Sequence, residues 1–184
     1  MIKIIKDFLP KPLFQYMKRI VENELFDWNY KNETIRGDGK HMLTKTLYCR
    51  PELSDSKTEV WDKDILPLFG CIEDFQKEKL EFTNSKLLKM KLNMYLNQKE
   101  PVEHGRHTDI PTQPASIFTS VFNFTNCDGY TFVFDDEGKA IKVPSIENSL
   151  VIFDGKQEHY GVTQTDTARR IVLNTNVYTG DATW

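Results

Sequence analysis

From Lys89 to Asn97 the chain alternates without a break (KMKLNMYLN), with Met90, Leu92, Met94 and Leu96 on one side and Lys89, Lys91, Asn93, Tyr95 and Asn97 on the other. A period of two sorts these residues onto opposite faces of an extended strand, and a helix cannot do so. The rest of the chain keeps that character. Ile117–Phe124, Tyr130–Phe134, Ala140–Val143, Leu150–Phe153 and Arg169–Tyr178 are rich in β-branched and aromatic residues. Asn126-Cys-Asp-Gly129 and Asp135-Asp-Glu-Gly138 separate them as turns. Short strands joined by turns, with no helix between them, predict an antiparallel double sheet.

Before about residue 85 the pattern is helical. Pro10 and Pro12 precede Leu13, Phe14, Met17, Ile20, Val21 and Leu25, an apolar stripe at spacings of three and four behind a proline start. Phe26, Trp28 and Tyr30 are aromatic anchors, Gly37-Asp-Gly39 a loop, and Met42–Tyr48 an edge strand by its weak alternation. A second helix is expected from about Thr58, with Trp61 one turn on, towards Leu80; Pro67 and Gly70 allow two shorter helices instead. The expected class is α+β, a single domain over 1–184 with helical support over about 1–85 and a β core over about 86–180. The helices would pack on the outer face of the sheets.

Composition excludes several alternatives. Twelve Phe and seven Tyr in 184 residues are enough for a sizeable core. No apolar run approaches the ~20 residues of a membrane helix, and the charged start lacks the apolar stretch of a secretory signal. Three cysteines without a CxxC pair argue against a disulfide framework or Cys-ligated zinc and for a reducing, cytoplasmic setting. A net charge of −3 gives no reason to expect nucleic acid as a partner.

Chemistry concentrates in a few residues. Of four histidines, His107 stands two before Asp109, so in an extended segment both face one side. His159 follows the Leu150–Phe153 strand and its turn, a natural return to the same end of a compact sandwich. Two imidazoles and one carboxylate would leave coordination positions open, the ligand set of non-haem Fe(II) oxygenases. A lone His-x-Asp also arises by chance. The companion feature is the strand RRIVLNTNVY, in which parity sends Arg170 to the side of Val172, Asn174 and Asn176. Arg169 falls with Ile171 and Leu173 or at the solvated rim. An inward arginine needs an anionic partner, which either a dicarboxylate ligand or an internal acid would supply.

The ordered set His107-Thr-Asp109, His159 and Arg170 resembles the 2-oxoglutarate- and Fe(II)-dependent dioxygenase superfamily, nearest to its prolyl-4-hydroxylase-like branch. The likeness covers about residues 86–178. It includes Asn93 and Tyr95 before the HxD, Gly129-Tyr-Thr131, and Leu150–Asp154 before the distal His. It implies a double-stranded β-helix (a jelly-roll, cupin-like core) with His107, Asp109 and His159 as iron ligands. Arg170 would neutralise the far carboxylate of 2-oxoglutarate, with Tyr95, Asn123 and Asn174 in the same pocket. Many relatives carry tyrosine where this chain has Asn123. Fe(II), 2-oxoglutarate, dioxygen and, as a reductant, ascorbate are the implied cofactors and partners. Hydroxylation of a peptidyl or free amino acid such as proline is the implied reaction, with Lys31–Tyr48, Gln98–Arg106 and Ile110–Ser116 as substrate loops. His104 would serve beside the metal, face the substrate or simply be exposed to solvent, rather than ligate. The competing class is a jelly-roll metal- or ligand-binding module without turnover.

Overall fold

The computed structural model describes residues 2–54, 57–82, 85–110 and 116–180. In chain order its elements are β1 (Ile2–Ile5), α1 (Lys11–Val21), β2 (Asn29–Lys31), β3 (Met42–Cys49), β4 (Val60–Trp61), α2 (Leu66–Phe69), α3 (Cys71–Leu80), β5 (Ser85–Leu96), β6 (Ile117–Asn123), β7 (Cys127–Phe134), β8 (Ala140–Ser145), β9 (Ser149–Asp154), β10 (His159–Val162) and β11 (Arg169–Thr179). One antiparallel sheet runs β1-β9-β6-β11-β5-β3-β2, with β4 beside β3, and a smaller one runs β10-β7-β8. The segment before Asp109 lies along β10 as a broken strand: Val102 accepts from Thr163, His104 donates to Gly161, and His107 and His159 exchange both backbone hydrogen bonds. This is the antiparallel double sheet that the strand pattern predicts, in the jelly-roll arrangement that the resemblance implies.

Two apolar layers hold it together. On the outside of the large sheet, Phe14, Met17 and Val21 of α1 and Phe69 and Ile72 of α2 and α3 pack on Met90, Leu92, Phe122, Leu150, Ile171 and Leu173. Each such side chain contributes about 1.5–3 kcal/mol on leaving water. Between the sheets, Val133 and Val143 meet Val121, Val151, Phe153 and Val172.

Both faces of β5 are therefore buried: the apolar one under the helices, the polar one inside the barrel. Inward residues form rows across the large sheet. Tyr95 pairs with Arg170; the next row is Thr44, Asn93, Val172, Asn123; then Thr46, Lys91, Asn174, Val121; then Cys49, Lys89, Asn176, Thr119. The polar half of the alternation lines a site.

Four sequence expectations need correction. Leu25 is 92 % exposed, because α1 stops at Val21, before it. No helix starts near Thr58; Val60–Trp61 adds to the edge of β3, and Pro67 and Gly70 reduce the remainder to the two shorter helices α2 and α3. β3 is interior rather than an edge, with β5 on one side and β2 and β4 on the other. Finally, the turn expected over Asn126–Gly129 is mostly strand, since β7 already begins at Cys127; β1, which joins β9, and β10, which joins β7, are too short to show a period in the sequence.

Candidate metal centre

His107 and His159 sit opposite each other where the broken strand meets β10, their backbones joined at 3.1 and 2.9 Å. Directly paired antiparallel residues project to the same side, and the two rings stand 4.6 Å apart. Asp109, two residues on, completes the group: His107 Nε2 lies 3.7 Å from one carboxylate oxygen and His159 Nε2 3.7 Å from the other. The three side chains offer donor atoms all within 4.8 Å of one another.

Neighbouring groups orient each donor. Nδ1 of His107 lies 2.8 Å from the Gly105 carbonyl and Nδ1 of His159 3.4 Å from that of Gln157, in both cases the carbonyl two residues earlier. A carbonyl only accepts, so Nδ1 carries a proton and Nε2 is the nitrogen turned towards Asp109, which raises the His107 imidazole above its ordinary value despite burial. Buried His159 Nε2 has no hydrogen-bond partner. Asn174 and Asn176 donate their amides to Asp109 at 3.1 and 3.0 Å, and Asn176 also donates to Thr119 Oγ1. Burial alone would raise the Asp109 carboxyl, but the two imidazoles and the Asn176 amide hold it well below the usual carboxylate range. Burial pushes the His159 imidazole below its ordinary value. Two imidazole Nε2 atoms and an ionised carboxylate are a donor set that fits Fe(II), which would take the place of a proton between them.

Arg170 is outside the cavity lining but directly behind it, against Thr131, Tyr95 and Gly161, and is 1 % exposed. Its Nη2 donates to Thr131 Oγ1 at 2.8 Å, while Nε and Nη1 are unpartnered. Among the described residues no carboxylate forms an ion pair with it, so it is not locked to an internal acid. The space beside it is kept by glycine: a Cβ on Gly161 would lie 2.9 Å from Tyr95 Oη and 3.4 Å from Arg170 Nη1. Tyr95 is buried, its ring 5.3 Å from the guanidinium carbon and edge-on to His104. Arg169 points the other way and donates to the Glu22 carbonyl at the end of α1.

His107, Asp109, His159, Tyr95 and Asn174 thus line one cavity together with Lys91, Asn93, Thr34, Met42, Thr131 and Val172. Asn174 stands against Asp109 rather than against the guanidinium. Asn123 is outside that lining; its amide binds Ser149 and its oxygen accepts from Ser145. His104 is buried, with Nδ1 hydrogen-bonded to the Thr34 hydroxyl. Burial pushes its imidazole down to about 4, so it is neutral near pH 7. Of the expected substrate loops, residues 32–41 are clamped by Asp38, whose carboxylate accepts from Thr34, Lys40 and Gly105. Gln98 bonds His41, tying a second loop to the first. In the third, residues 111–115 lie outside the described residues. Sequence reasoning passed over Asn176, Thr131 and Lys91 as site residues, although the parity used for Arg170 and Tyr95 puts Asn176 and Lys91 on the same inner face.

Fold and site together define a class: a jelly roll whose inner face holds a His-x-Asp…His cluster, with an arginine on the same face that has no acid partner among the described residues. No protein-family model matches the sequence, and a search of curated proteins found no match. Solved structures do share the fold. An oxidoreductase of the 2OG-Fe(II) oxygenase family from Burkholderia pseudomallei superposes with a TM-score of 0.68 at 14 % identity, over 98 % of this chain and 86 % of that one. A prolyl-4-hydroxylase from Pseudomonas putida gives 0.61 at 15 %, over 98 % and 93 %. The non-heme alpha ketoglutarate dependent carbocyclase SnoK of nogalamycin biosynthesis gives 0.68 at 10 %, over 100 % and 81 %. At such identities the likeness establishes the fold.

Proposed function

We propose that this chain is an Fe(II)- and 2-oxoglutarate-dependent dioxygenase. The observation that carries the reading is Arg170, a buried guanidinium with two nitrogens unpartnered among the described residues, set against Thr131, Tyr95 and Gly161 in the wall of the cavity that holds the His-Asp-His cluster. An unpaired buried charge costs several kcal/mol, so a fold that keeps one has a use for an anion there. His107, Asp109 and His159 would hold the ferrous ion. Bound with 2-oxoglutarate, it supplies the oxidation: dioxygen is consumed, the keto acid becomes succinate and carbon dioxide, and a substrate C–H becomes C–OH.

The protein's own residues do the rest. The Gly105 and Gln157 carbonyls keep both Nε2 atoms facing inward, and Asn174 and Asn176 keep the Asp109 carboxylate ionised and oriented. Arg170 and Thr131 receive the far carboxylate of 2-oxoglutarate in a charge-assisted pair, over the ring of Tyr95. Val121, Val172, Met42 and Phe153 wall the chamber with apolar surface and exclude water. Asn123 supports this wall through Ser145 and Ser149. An amino acid, peptidyl or free, is the substrate class we favour, because one of the proteins that share this fold, that of Pseudomonas putida, is a prolyl-4-hydroxylase. The free thiols of Cys49, Cys71 and Cys127 suit a reducing compartment such as the cytoplasm.

The test is spectroscopic and catalytic. Under anaerobic conditions Fe(II) plus 2-oxoglutarate is expected to give a weak visible charge-transfer band, lost in His107→Ala and Asp109→Ala. In air, wild-type protein should release succinate. If both variants keep wild-type succinate release, the assignment is wrong; iron binding without any succinate would favour the binding module.

A further inference from the structure

Lys91 has no part in the chemistry so far assigned to the chamber. It lines the metal cavity one cross-strand pair from Asn174, with Thr46 on its other side. Its ammonium forms no ion pair or side-chain hydrogen bond among the described residues. Burial, with the nearby charges of Lys89 and Lys31, pushes it down to about 8, and Asp109 is the acid that opposes this. It remains a cation near pH 7. Lys89 occupies the next inward row and Lys31 is exposed on β2, so positive charge continues from the chamber towards the surface.

Charge balance sharpens the point, resting on the reading of the site as an iron and 2-oxoglutarate centre. A ferrous ion and Arg170 are matched by Asp109 and the dianionic keto acid. Lys91 is then the one uncompensated charge lining the cavity. Arg170, the residue assigned to the far carboxylate of 2-oxoglutarate, lies four residues along β11 from Asn174, the partner of Lys91, a backbone separation of roughly 13 Å, so the two cations serve different parts of the site. We propose that Lys91 is a substrate-positioning residue that binds a single carboxylate on the primary substrate, which makes that substrate a free or N-acylated amino acid with its α-carboxylate intact. A peptide-internal residue carries no such group at its reacting unit.

The experiment titrates the anaerobic Fe(II)–2-oxoglutarate complex with the proteinogenic amino acids, their N-acetyl forms and the matching primary amides, following the charge-transfer band. At least one acid is expected to shift the band while its amide does not. Lys91→Met and Lys91→Gln should each weaken that acid at least tenfold while 2-oxoglutarate affinity stays within twofold, and Lys91→Arg should restore part of the loss. The inference is overturned if acids and amides act alike, if no acid shifts the band, or if the Lys91 variants lose 2-oxoglutarate instead. Absence of the band in wild type would overturn the oxygenase reading itself, a separate result.

Discussion

Two adjacent arginines do opposite work. Arg170 is buried with Thr131 as its one hydrogen-bond partner among the described residues, and Arg169 ties the strand to the end of α1 through the Glu22 carbonyl. Replacing an unpaired buried charge with an apolar chain of similar length is often neutral or stabilising, by about 1–4 kcal/mol. Arg170→Met is therefore expected to leave the ligand-free protein as stable or more so in urea, while weakening 2-oxoglutarate roughly ten- to a hundredfold, the worth of a lost charged hydrogen-bond pair. Calorimetric titration alongside denaturation checks both halves; a less stable variant with full affinity would contradict the role. Arg169→Ala should do the reverse, losing about 0.5–1.5 kcal/mol of stability with 2-oxoglutarate affinity intact. Parity along the strand was enough to separate the pair. It could not say that Asn174 and Asn176 would meet Asp109, because that contact spans 65 and 67 residues.

At the scale of elements, β5 shows what a period can and cannot reveal. Its alternation is unmistakable, yet the polar face is the inside of a chamber rather than a wet surface, since the smaller sheet lies across it, with Gly161 of β10 against Tyr95 and Val133 and Val143 against Val121 and Val172. The stripe of α1 was readable as far as Val21; beyond it the backbone leaves the helix, and Leu25 is thrown outward. The loop 32–41 carries its own clamp. Burial pushes the Asp38 carboxyl up, but N–H donors from Lys40, Gly105, Ile35 and Thr34 outweigh it and hold it below the usual range. Its contribution is present above the ordinary carboxylate range and is lost as pH falls through the lowered value. In Asp38→Ala the amides of Thr34, Lys40 and Gly105 should exchange hydrogen faster at neutral pH, and wild type should approach that behaviour only in acid. Unchanged protection in the variant would remove the clamp.

For the whole molecule, His104 gives a pH signature. It is neutral in the fold, with a value near 4 against an ordinary ~6.5, so below about pH 6.5 the unfolded chain takes up a proton that the folded one refuses. Stability from this residue is full above that pH and falls towards pH 4. Urea midpoints at pH 7.5 and 5 should differ less in His104→Gln than in wild type; equal slopes would show that the buried ring does not control the acid limb.

The amino-acid order alone determined the longer strands of the second half, the α1 stripe as far as Val21, the two faces of β5 and β11, and the His-x-Asp, His and Arg candidates. These are local properties, set by side-chain period and backbone preference within a dozen residues. Tertiary structure decided the rest. The short strands β1 and β10 exist because longer neighbours offer them hydrogen bonds. His107 meets His159 because one antiparallel pair joins segments some fifty residues apart, and Arg170 stands without an acid because of what the other strands bring near it. Which groups end up sharing one chamber depends on register between distant segments, and register is set by the packing of the whole sheet.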